Sequence, residues 1–162
     1  MTWTTAEGLF QEEGARILAL WDTLPPERLT ERVLIRRFPG IEDSSRYWSA
    51  AMTVEHLNIV GTGIRHAIAV LRRGEVPTGP ARIEDVKPKG EVEPTTVRAE
   101  FVQLLADFAS VKEPPIPRGE GPRYTHPWFG LMDAYQWHCL VCVHQGLHRK
   151  QIEAIRVGLG VS

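Results

Sequence analysis

Little in this 162-residue chain points to a stapled, strongly charged or membrane-spanning protein. It has two cysteines, Cys139 and Cys142, too few for a disulfide framework. Their C-x-x-C spacing reads as a redox motif only in a thioredoxin-like βαβ setting, and no such setting surrounds it. Neither sign of charge dominates, since 19 Lys and Arg against 20 Asp and Glu give a net charge of −1. A nucleic-acid binder ordinarily carries a basic excess, so that class is set aside. No run approaches the ~18 apolar residues that a membrane span requires. Glu7, Glu12 and Glu13 interrupt the N-terminal stretch where a leader would lie. These absences imply a soluble cytoplasmic protein, and the length fits one domain over residues 1–162.

Proline is missing from both ends. All 12 prolines lie between Pro25 and Pro127, leaving four proline-free windows at 1–24, 40–76, 95–113 and 128–162. Proline breaks helix interiors, so long helices belong in these windows. The first helix is expected from about Thr4, capped with Glu7, to Leu24, with Phe10, Ile17, Leu18, Trp21 and Leu24 as its apolar stripe. A second is expected to start at the N-cap Ser49 and reach Arg73, with Met52, His56, Ile59, Val60, Ala67 and Val70 facing inward. The third follows Pro94 and carries Val97, Phe101, Leu104, Leu105 and Phe108. The fourth follows Gly130 and runs to about Arg156, with Trp137, Leu140, Val141, His144, His148 and Ile152 on one side. No strand alternation is evident; Val33-Leu34-Ile35 fit an extended segment, and Glu27 to Arg37 equally fit a short helix. The Pro/Gly-rich stretches 74–94 and 112–130 are too long for tight turns. The expected architecture is an all-α four-helix bundle with long crossover connections.

His144 and His148 carry the chemistry. Four residues advance a helix about 400°, so the two imidazoles stack one turn apart on one face. Such a pair grips a divalent metal, and imidazole suits Zn, Ni, Cu or Fe; packed core histidines are the plainer alternative. The cysteines lie roughly 140–160° around the axis from His144 and cannot share its metal. His56 is the single histidine expected on the inner face of the second helix. Antiparallel packing of the second and fourth helices would bring all three imidazoles to one level, and the third helix would then need a connection crossing the bundle. Three protein nitrogens leave a coordination position open, as reactive rather than structural sites do. Glu55 is expected to point off the inner face, and His66 is expected about 80° off the His56 stripe. His138 sits on a flank of the fourth helix. His126, before Pro127, is extended and either caps the site's mouth or holds the loop. The arginines from Arg28 to Arg37 read as a solvated face. No E-x-x-H pair of the di-iron bundles occurs, nor any H-E-x-x-H, G-x-S-x-G or P-loop pattern.

Trp48-Ser49, His56-Leu57, His144-x-x-x-His148-Arg149-Lys150-Gln151-Ile152 and His126-Pro127-Trp128-Phe129-Gly130, in this order and spacing, resemble the DinB/YfiT-like superfamily. The resemblance spans roughly residues 5–157. It implies a four-helix bundle whose metal ligands are His56, His144 and His148. It further implies one divalent ion (zinc or nickel, with iron or manganese as alternatives) and a bacterial homodimer. The implied activity on a small-molecule substrate is that of a transferase using a low-molecular-weight thiol, bacillithiol or mycothiol among them, or of a related metal-assisted hydrolase. The competing class is a non-catalytic module in which a metal stabilises the bundle or a cleft binds a ligand.

Overall fold

Capping chemistry sets where the helices begin. In the computed structural model, which describes residues 1–161, the Ser49 hydroxyl accepts the Met52 N–H at 3.1 Å, and α2 (Ala50–Arg72) starts directly after it. α4 (Ala134–Gly158) opens on a full capping box, in which Asp133 accepts the Gln136 N–H and the Gln136 side chain accepts the Asp133 N–H. α1 (Trp3–Asp22) is capped by Thr2, whose hydroxyl takes the Thr5 N–H. The expected Thr4–Glu7 box therefore does not form, because Thr2 offers the same chemistry earlier in the chain. α3 (Pro94–Ala109) begins on a proline, whose missing N–H would have had no helical partner there.

Side-chain contacts fix the helix directions. Trp3 stacks on His138, the Phe10 carbonyl accepts from Gln145 and Glu13 pairs with Arg149, so α1 and α4 run parallel. The Ser45 carbonyl meets Gln151, Trp48 stacks on His148, and His56 reaches His144, so α2 and α4 run antiparallel as expected. Asn58 bonds to the Val97 carbonyl and Arg65 pairs with Asp107, so α2 and α3 run parallel. Two consecutive parallel helices require a connection along the bundle's whole length, and residues 73–93 supply it. Gly14 on α1 and Gly61 on α2 admit α3: a Cβ at either would lie 2.4 Å or 2.5 Å from the Leu105 or Leu104 side chain.

The four-helix bundle stands as expected, with one small addition. Residues Tyr124–His126 (β1) and Gly130–Met132 (β2) form an antiparallel hairpin, with His126 opposite Gly130. Strands of three residues are too short to show alternation, and that hid them. Of the two readings open for residues 27–37, the extended one holds: a single 3₁₀ turn at Pro26–Arg28 gives way to extended chain that pairs the Ile35 N–H with the Arg46 carbonyl. Among the described residues no helix is long and apolar enough to cross a membrane.

The expected stripes of α1, α3 and α4 supply much of the core, while on α2 it is built by Val54, Leu57, Ile64, Ile68 and Leu71 rather than by the expected Ile59 and Val60, which are only half-buried. Phe10, Phe101, Phe108, Ile17, Ile68, Ile152 and Ile155 are fully buried, and the Phe10 and Phe108 rings meet at 4.3 Å. Truncating Phe101 removes a large, wholly enclosed side chain, so Phe101→Ala should destabilise by about 3–5 kcal/mol. Val102→Ala, one residue on but exposed, should change stability by no more than about 0.5 kcal/mol. Paired urea titrations check the contrast.

Candidate metal centre

The second and fourth helices deliver three imidazoles to one point. The His56 Nε2 lies 3.2 Å from the His144 Nε2, which lies 3.1 Å from the His148 Nε2. Each ring offers one nitrogen to a group whose atoms all lie within 4.8 Å of one another. His56 and His148 are buried, while His144 is half-buried. The Trp48 ring packs against the cluster, 5.1 Å from His56 and 6.4 Å from His148.

Hydrogen bonds behind the rings settle their tautomers. The His56 Nδ1 sits 2.6 Å from the Val86 carbonyl oxygen, which only accepts, so this nitrogen carries the proton. The His148 Nδ1 sits 2.6 Å from the Gln151 Oε1. The Gln151 amide is oriented by donating to the Ser45 carbonyl at 2.8 Å, so its oxygen faces His148 and the His148 proton is also on Nδ1. Both Nε2 atoms are then bare lone pairs aimed at the centre. His144 can place at most one proton among them, and one N–H shared between two rings satisfies each lone pair only in part.

A cation satisfies all three nitrogens. A tetrahedral ion with Zn–N bonds of ~2.0–2.1 Å holds its nitrogens about 3.3 Å apart, close to the 3.1 Å and 3.2 Å found. The backing by a carbonyl and a carboxamide is the arrangement that orients metal-ligating imidazoles. The residues present therefore fit a divalent ion.

Electrostatics keep the rings neutral. Burial lowers the His148 pKa from 6.5 to about 3, with the His56 charge acting in the same direction. Burial also lowers His144 well below the usual imidazole range, with His148, His56 and His126 adding repulsion. His56 is lowered by burial as well, against the opposing pull of the Val86 carbonyl and of Glu42.

The other expected residues fall as follows. His66 is exposed and apart from the centre. His138 is buried and stacked on Trp3 at 3.7 Å, a packing role on the α1 face. Cys142 is buried with Met1 against its sulfur, its thiol pushed up by burial, and both cysteines are free and outside the cluster. His126 holds the hairpin loop: its Nδ1 accepts the Trp128 N–H at 3.1 Å and the Phe129 N–H at 3.4 Å. Glu55 lies outside the cluster, and it is buried there because the crossover covers it and binds its carboxylate through backbone. Gln151 and the Val86 carbonyl escaped the sequence reading. Gln151, three residues after His148 on one helix face, was within reach of a spacing argument. Val86 was not, because nothing local brings residue 86 to residue 56. An open groove of about 440 Å³ lies elsewhere, lined by Arg16, Leu20, Thr23, Arg149 and Glu153 among others and by none of the three histidines.

No protein-family model matches this chain, and no curated protein does. Among solved structures, TT2238, described as a four-helix bundle protein, superposes with a TM-score of 0.60 and 21% identity. The match covers 94% of this chain and 99% of that one. At that identity the likeness shows the four-helix bundle alone.

The depressed imidazoles make stability depend on pH. The unfolded chain takes up protons below about pH 6.5 that the metal-free native state refuses, so stability is complete above that value. It falls progressively toward the native His148 pKa of about 3. His148 alone should remove about 2 kcal/mol between pH 7 and pH 5. Urea unfolding of metal-free protein at both pH values should show at least this loss, and His148→Gln should reduce it by about 2 kcal/mol, leaving the shares of His144 and His56.

Proposed function

We propose that His56, His144 and His148 bind one divalent metal ion, zinc or nickel, and that the protein is a metal-dependent enzyme. A thiol-dependent transferase or a related hydrolase is the favoured activity. The observation that carries the metal reading is the convergence of three Nε2 atoms with at most one proton among them. The resemblance to the DinB/YfiT-like superfamily supports the same three ligands. A bound ion would supply Lewis-acid chemistry, lowering the pKa of a thiol or water that meets it.

The chain's own residues do the rest. His56 and His148, locked from behind, hold the donor atoms in place without reorganisation. Trp48 excludes water from one side, and burial of the flanking rings strengthens attraction to an anionic sulfur or oxygen. Three protein nitrogens rather than four favour a catalytic centre over a purely structural one.

Two measurements test this. Elemental analysis should show about one ion per wild-type chain and sharply reduced occupancy in His144→Ala, while Cys139→Ser, outside the cluster, should retain its metal. Full occupancy in His144→Ala would refute the ligand assignment. Titrating small thiols into cobalt-substituted protein should produce a sulfur-to-cobalt absorption band. With no band for any thiol, and chelation changing only the melting temperature, the non-catalytic module would be the better description.

A further inference from the structure

Glu55 is the residue before His56 on α2, and its carboxylate is buried. A buried anion needs compensation, and among the described residues no ion pair supplies it. Two backbone groups do so instead. The Lys89 N–H donates to Oε1 at 3.0 Å, and the Gly90 N–H donates to Oε2 at 2.9 Å. Both belong to the crossover between α2 and α3. Three residues before Lys89 on the same stretch, the Val86 carbonyl accepts the His56 Nδ1–H at 2.6 Å. Adjacent residues of one helix thus grip two points of one passing segment.

We infer that Glu55 is a positioning residue for the histidine centre. Its clasp on Lys89 and Gly90 holds the crossover where the Val86 carbonyl fixes His56 with a bare Nε2 toward His144 and His148. The carbonyl sits on an irregular segment without helical or strand partners to hold it, beyond the short 3₁₀ turn Glu84–Val86. Without the clasp, the carbonyl loses its fixed position. A free imidazole prefers its proton on Nε2, and that form would turn a proton into the centre in place of a donor lone pair. The clasp therefore acts on the ligand set through tautomer selection, beyond tying down a loop.

The inference rests on the metal reading only for its affinity readout, and the test separates the two. Imidazole ¹⁵N–¹H correlation spectra of metal-free protein report the His56 tautomer directly. They are compared for wild type, Glu55→Gln and Lys89→Pro. Glutamine has one acceptor oxygen where two N–H groups need one each, and proline deletes the Lys89 donor while leaving Glu55 intact. Wild type should show His56 protonated on Nδ1 alone. Both variants should show a mixture with the Nε2–H form and bind zinc about 10–100-fold more weakly. His148, held by Gln151, should keep its tautomer in all three. An unchanged His56 tautomer in a folded variant overturns the inference, even if the melting temperature falls. If Glu55→Gln does not fold, Lys89→Pro decides. Wild-type protein that binds no zinc would sink the metal reading, while the tautomer comparison still decides this one.

Discussion

His56 and His148 each donate their Nδ1 proton backward, to the Val86 carbonyl and the Gln151 carboxamide at 2.6 Å in both cases. The consequence lies on the other side of the rings, where two bare nitrogens and His144 face one another within 4.8 Å. Lone pairs do not gather in a protein interior without something to satisfy them, because unsatisfied buried acceptors are costly. The rest of the structure can be read as what makes this arrangement hold. Burial keeps the rings neutral, Trp48 packs against them, and two long helices carry the donor atoms.

Topology links the site to the fold's least regular part. Because α2 and α3 run parallel, residues 73–93 must travel the length of the bundle, and on the way they pass His56. An up-and-down bundle with tight turns would have no chain there to offer a carbonyl. The crossover is thus both a connection and a wall of the site. Its hold on Glu55 replaces the regular hydrogen bonding that the segment lacks.

The bundle was legible because its signals are local and repeated. Proline-free windows, N-caps such as Ser49 and the apolar stripe Val97–Phe108 are properties of neighbours in sequence. The histidine cluster was legible for a related reason: a four-residue spacing on one helix, matched in level by His56 on an antiparallel partner, needs no knowledge of loops. The hairpin was not legible, since its three-residue strands carry no period. The Thr4–Glu7 cap was displaced by a competitor two residues upstream with the same side-chain chemistry. What covers Glu55 was not legible, for a deeper reason. Helical phase gives a direction but not what fills it, and here a remote segment packs over a face that periodicity reads as solvent.

The four-helix likeness to TT2238 fixes the architecture and leaves the chemistry to the side chains. The central claim is that this donor set is a three-nitrogen metal site with a vacant position. An anomalous-difference map from a zinc-loaded crystal tests it most directly. The account predicts one peak about 2.0–2.1 Å from the Nε2 atoms of His56, His144 and His148, with no fourth protein ligand. A peak on Nδ1 atoms, on Cys139 or Cys142, or a centre that remains empty while zinc binds elsewhere, would contradict it.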